Sequence, residues 1–223
     1  MRKKTWHRKT YLVMLACWFA VFIAAAAAGS FWYIQTSRQH LLNTVDDKMM
    51  IAAKAVKFML APDFHDRAVD RDTIPFQEEL ENRNAVSGYA QETPFTYIYT
   101  LVEKDGGFYF AAPTVTPEEA KEQTSWYFHP YEEIPADFVT AFETSSPVVT
   151  THTDQWGTFR SIAVPEQSPG GRTYLACVDC DVSFIDDRLA GIRLKALLVS
   201  LVFLGLALPP VFLAWHALRS NKQ

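Results

Sequence analysis

Apolar residues follow three patterns along the chain, and each pattern predicts a different element. Residues 11–34 are 24 positions without a formal charge, and residues 196–218 are 23 more. About 20 apolar helical residues, at about 1.5 Å rise each, cross a bilayer's ~30 Å hydrocarbon layer, so both runs predict transmembrane helices. From position 35 to 60 there is no Gly or Pro, and Leu42, Val45, Met49, Ala52, Val56 and Met59 recur at alternating spacings of three and four. This seam predicts a stem helix that continues directly from the first span. It suits packing against its own domain or pairing with the same helix of a second subunit in a homodimer. Three heptads are short for an independent coiled coil.

The pattern then changes to alternation. Residues 95–102 and 108–112 read as two strands joined by the turn residues Lys104-Asp105-Gly106-Gly107. Three further strands are expected at 148–153, 158–164 and 173–182, separated by turns at Asp154-Gln155-Trp156-Gly157 and Ser168-Pro169-Gly170-Gly171. An irregular insert, 113–146, carries four prolines and a short helix at 135–143, and another short helix is expected around 76–83. A helix from Ser183 runs into the second span. The predicted class is α+β: a five-stranded antiparallel sheet with a long N-terminal stem helix, flanked by two transmembrane helices.

Charge sets the orientation. Arg2, Lys3, Lys4, Arg8 and Lys9 precede the first span, Arg219 and Lys222 follow the second, and neither tail has an acid. Lys and Arg near span ends favour the cytoplasmic side, so residues 1–10 and 219–223 are expected inside and 35–195 outside a bacterial inner membrane. That outer segment holds all 25 acids and 14 of the 21 bases, a net charge of −11. So acidic a surface argues against a nucleic-acid partner and tilts ligand preference toward cations or neutral molecules. The basic start, apolar run and small residues 24–30 also fit a cleaved signal peptide, but Phe31, Trp32, Tyr33 and Ile34 prolong the run and suit an interface. Pro209 and Pro210 are expected to kink the second span. Cys177 and Cys180 lie three apart in a strand and face opposite ways, so they read as buried apolar residues and not as a disulfide.

The order of these elements resembles the extracytoplasmic Cache family of sensor domains, which have a PAS-like fold and sit between two membrane spans in chemoreceptors, histidine kinases and diguanylate cyclases. The similarity is carried by the stem helix, Phe95-Thr96-Tyr97-Ile98-Tyr99-Thr100, the Trp126-Tyr127 pair, residues 154–161 from Asp154 to Ser161, Pro165, Gly170-Gly171 and Val178-Asp179. It implies one small-molecule sensor domain over residues 35–195. Amino-acid-binding members resemble a pattern with an Arg shortly before the Trp-Tyr pair, where this chain has Gln123, Thr124 and Ser125, so carboxylate recognition by that route is not expected. Only residues 219–223 follow the second span, so output is expected through a separate signalling protein; a truncated receptor would read the same way.

The resemblance places the ligand between one sheet face and the insert, which makes Trp126, Tyr127, His129 and Tyr131 candidates for its walls. Tyr97 and Tyr99 share one sheet face, toward either the insert or the stem helix. Asp154 and Trp156 suit turn work, and Arg160 could offer a planar donor fork to an anion or to an acid of the chain. Asp179 is a carboxylate in an apolar strand, placed to receive a ligand amine or to anchor a loop. His152 and Asp154 would share a face, but no zinc motif is present, and neither a Gly-x-Ser-x-Gly elbow nor a phosphate-binding loop occurs. The expected function is therefore a membrane-anchored sensor without cofactor, metal or catalytic activity. The alternative is a membrane-anchored scaffold that contacts another envelope protein.

Overall fold

A computed structural model describes residues 2–122 and 124–220, so Met1, Gln123 and the last three residues of the C-terminal tail lie outside it. The stem residues belong to one helix, α1 (Arg2–Ala55), followed by a 3-10 turn at Val56–Phe58. Next come α2 (Phe64–Arg67), α3 (Phe76–Gln91), β1 (Tyr97–Lys104) and β2 (Gly107–Phe110). The insert holds α4 (Glu119–Glu122) and α5 (Ala136–Thr144), and β3 (Val148–Asp154), β4 (Gly157–Gln167) and β5 (Thr173–Asp181) complete the sheet. The chain ends in α6 (Val182–Gly205) and α7 (Leu208–Ser220). The fold is α+β, and its five antiparallel strands lie in the PAS-like order β2-β1-β5-β4-β3.

Residues 42–186 form one compact unit. The β1–β2 hairpin turns where the sequence placed it: Asp105 and Gly106 both have positive φ, 53° and 82°, the two left-handed residues that a type I′ turn needs. The outer edge of β2 is covered by the insert, whose residues 128–131 take up its backbone groups through Phe110 N to His129 O and Tyr131 N to Phe108 O. One sheet face carries Tyr99, Leu101, Phe110, Leu175 and Cys177, packed with Tyr131 and with Phe138 and Ala141 of α5. The opposite parity of β4 points to α1 and its 3-10 extension, where Arg160 meets Asp46 and Glu166 meets Lys57.

The seam on α1 is used inside this unit: Val45, Met49, Ala52 and Val56 are buried. A homodimer through those residues would have to undo the core, and what the helix leaves exposed is another stripe, with Ile51 67% and Phe58 83% accessible. Helix α3 is twice as long as the pattern predicts. Its buried face is polar, with Glu79, Asn82 and Arg83 beside Val86 and Ala90, so no apolar periodicity marks it.

The second unit comprises the earlier part of α1 and the chain after Asp186. Thr10–Phe58 and Val182–Leu213 each contain a stretch long and apolar enough to cross a membrane. Large apolar side chains such as Val21, Trp32, Val199 and Val202 are exposed there. Phe22 stacks on Phe203 at 5.0 Å, and the hydroxyls of Ser30 and Ser200 are hydrogen-bonded. The expected kink is a break: α6 stops at Gly205 and α7 starts at Leu208, ahead of Pro209 and Pro210, which have no N–H to continue the ladder.

Candidate functional site

Strand alternation assembles the site. In register, Tyr97 lies opposite Asp179, Tyr99 opposite Cys177, and Asp179 opposite Ser161, so these side chains share the sheet face that the insert covers. Between this face and the insert is a cavity with about 430 Å³ of empty space, its open mouth included. Its walls are aromatic: Tyr97 and Tyr99 from β1, Phe110 from β2, Trp126 and Tyr131 from the insert, Trp156 from the β3–β4 turn and Phe159 from β4. The rings meet mostly edge to face, with Tyr97 and Phe159 5.6 Å apart and Phe110 and Trp156 5.8 Å apart.

Three carboxylates are set into this wall, and each takes a hydrogen bond from one tyrosine. Tyr97 Oη donates to Glu119 Oε1 at 3.1 Å, Tyr99 Oη to Asp179 Oδ1 at 3.3 Å, and Tyr131 Oη to Asp154 Oδ2 at 2.7 Å. Burial, and then the neighbouring acids, pushes all three phenols well above their ordinary range, so they stay protonated and donate. Burial also raises Asp179, to about 6. Asp154 goes the other way: hydrogen bonds outweigh the burial that would raise it and hold it below the usual carboxylate range. Its Oδ1 accepts the N–H groups of Trp156 and Gly157, which is turn work, while His152 Nε2 lies 3.4 Å from Oδ2.

Of the expected site residues, Trp126, Tyr131, Tyr97, Tyr99 and Asp179 line this cavity, and Tyr127, His129 and Arg160 do not. Tyr127 is buried, but its hydroxyl reaches Asp70 O at 2.9 Å and Thr73 Oγ1 at 3.0 Å, fastening the insert to the loop after α2. His129 packs against Trp126, ring centroids 5.2 Å apart, and its carbonyl holds β2. Arg160 points away from the insert, because alternation turns it toward α1; there it grips Asp46 through Nε at 2.7 Å and Nη2 at 2.6 Å. Glu119 and Phe159 belong to the wall, and no sequence signal singled them out. Glu119 lies on a four-residue helix without periodicity, and Phe159 reads as an ordinary strand aromatic.

No family model matches the chain, and no curated protein matches it. Among solved structures it is similar to the ligand-binding domain of the Campylobacter jejuni chemoreceptor Tlp3 in complex with L-valine, at 10% identity and TM-score 0.49 over 77% of this chain and 66% of that one. It is similar, at 14% identity and TM-score 0.33 over 66% of each chain, to the ligand-binding domain of the Pseudomonas aeruginosa amino acid chemoreceptor PctC in complex with GABA. The GAF domain of a two-component sensor histidine kinase from Bacillus halodurans matches at 10% identity and TM-score 0.31, over 57% of this chain and 97% of that one. The chain thus spans just under two thirds of the length of the two chemoreceptor domains. The solved structures similar to this chain include Cache-like ligand-binding domains of chemoreceptors and a GAF-domain sensor.

Proposed function

We propose that this chain is a membrane-anchored sensor module: spans at 11–34 and 196–218 hold residues 35–195 outside the cytoplasmic membrane, and a small molecule bound in the cavity is the signal. The observation that carries this reading is the cavity itself, an aromatic-walled space with a few buried polar groups at its floor, the usual make-up of a small-molecule site. The exposed apolar side chains of the two long helices support the anchoring, and the basic residues before the first span support the orientation. Binding suits the site better than catalysis. Its tyrosine hydroxyls are all committed as donors to carboxylates, which leaves none of them poised as a nucleophile beside a base.

The test is a thermal-shift screen of the full chain in detergent micelles against small anions, zwitterions, neutral compounds and cations. At least one class is expected to raise the melting temperature. Trp126→Ala should weaken that response about tenfold while costing less stability than the about 3–5 kcal/mol of a fully buried aromatic, since Trp126 is half-buried. A screen in which no class shifts the melting temperature removes the sensor reading.

A further inference from the structure

We infer that the groove between the two spans holds an acyl chain of an anionic phospholipid whose phosphate is met by Arg193 and Lys195. This goes beyond the sensor reading and rests only on its membrane anchoring. Charge is sorted by distance from the spans. Residues 46–187 hold all 25 acids and ten bases, whereas the strips that adjoin the spans, 35–45 and 188–195, hold Arg38, Arg188, Arg193 and Lys195 and no acid. Bases beside the outer ends of the spans work against the orientation that the inner bases favour, so they call for a counter-charge at the membrane surface, which anionic headgroups supply.

The groove lies within the second unit, between α1 and α6, and has about 870 Å³ of empty space, its open side included. Ala25, Ala26 and Gly29 are too small to fill it, and Trp32, Tyr33 and Phe203 wall it. A Cβ added to Gly29 would meet nothing within 4 Å. The lining makes no polar demand of its own. Ser200 Oγ donates to Ala196 O at 2.8 Å and so accepts from Ser30, which ties the helices together, as does the stacking of Phe22 on Phe203. What is left is a channel of apolar contact, suited to a run of methylenes.

Helical spacing puts the two bases at the mouth of this channel. Arg193 precedes Ala196 by three positions and Ser200 by seven, and Lys195 precedes Val199 by four, so both stand one turn outward on the lining face. Thr36 and Ser37, three and four positions after Tyr33, add hydroxyls from α1. Trp32 and Tyr33 suit the headgroup level, which sets the depth of the mouth. Arg193 and Lys195 are exposed, neither has an acid three or four positions away, and among the described residues neither joins an ion pair. An Arg fork beside a Lys point charge matches a phosphate. A second copy packed here by twofold symmetry would bring the same bases face to face, so a lipid suits the groove better. Arg38, nine positions after Gly29, lies on the opposite side of α1 and outside the site.

The experiment is native mass spectrometry of the full chain released from nanodiscs of equal phosphatidylcholine and phosphatidylglycerol, which counts the lipids it keeps. The chain should retain one phosphatidylglycerol, at least about tenfold in preference to phosphatidylcholine. Arg193→Gln with Lys195→Gln should bring the two lipids to about equal retention, while Arg38→Gln, the same charge loss on the other side of α1, should leave the preference as it is. Gly29→Leu, which fills the groove, should lower retention of both lipids. Equal retention by the wild type, read without any variant, overturns the assignment, and so does an unchanged preference in the double variant. Displacement of the lipid by excess glycerol 3-phosphate would reduce the site to a phosphate site, and lipid-free dimers that Gly29→Leu dissociates would give the groove to a second copy. Each of these outcomes leaves the sensor cavity to its own thermal-shift screen. A chain that does not enter nanodiscs at all loses the anchoring together with the lipid site.

Discussion

Burial raises the Asp179 carboxyl from 3.8 to about 6, and this shift fixes how stability should depend on pH. Between those two values the native chain keeps a proton that the unfolded chain has released, so stability falls as pH rises through the window. Two units at about 1.4 kcal/mol each make the loss roughly 3 kcal/mol, complete above about pH 6. The groups that face Asp179 are Tyr99 from β1, Ser161 from β4, Cys177 from its own strand, and His152 and Asp154 from β3. Asp154, held low, contributes with the opposite sign, so the effect is isolated by comparing the wild type with Asp179→Asn. The variant should lose this part of the pH slope and be more stable than the wild type at neutral pH, by up to about 3 kcal/mol, in urea unfolding followed at pH about 4 to about 8. A variant less stable at every pH would mean that the charge serves the fold. At this scale the sequence is readable where alternation or chemistry marks a residue: Tyr97 and Tyr99 by shared parity, Asp179 by a charge in an apolar strand. It is unreadable for Tyr127 and Arg160, whose destinations depend on Thr73 and Asp46, far away in the chain.

Strand β4 works on both of its faces at once. Phe159 and Ser161 lie on the cavity side, while Arg160 between them holds α1 through a two-pronged ion pair whose partners are only 20% and 24% exposed. Such a pair is stronger than a solvated surface one, because the guanidinium fork matches the carboxylate. Arg160→Gln and Asp46→Asn should each destabilise the fold by about 1–3 kcal/mol, and the double variant should cost less than the two together, by about 1–2 kcal/mol in urea melts. Strict additivity would show that the pair is idle. The β4–β5 turn is fastened in a different way: Asp66 of α2 accepts the Ser168 hydroxyl and the Gly170 N–H, the latter at 2.9 Å. A Cβ on Gly170 would stand 2.5 Å from Asp66 Oδ1, so Gly170→Ala should cost about 1–3 kcal/mol by thermal unfolding. In an Asp66→Ala background that cost should shrink, since the clash partner is gone. All five strands and the turn after β1 follow from alternation and turn residues. Helix α3 was foreshortened because Glu79, Asn82 and Arg83 sit on its buried face, where the helical period of apolar residues would normally appear.

Charge is divided so unevenly along the whole chain that it makes a prediction of its own. Seven bases and no acid lie outside residues 35–195, and the segment between carries −11. Moving so acidic a domain to the outside while the basic ends stay within is the arrangement that charge bias near spans favours. Arg71 offers a way to test it, because it is exposed in a turn closed by Thr73 N–H to Asp70 O at 3.2 Å, the kind of loop tip that proteases nick first. Trypsin added to intact spheroplasts should cleave at Arg71, and Arg71→Gln should abolish that fragment without altering the fold, since the side chain is solvent-exposed. The N-terminal fragment should stay with the membrane if residues 11–34 are a retained span, and a cleaved leader would release it. Cleavage that needs lysed cells would place the acidic domain in the cytoplasm, where the cavity would report on an internal solute and the basic ends would face the wrong side for their charge.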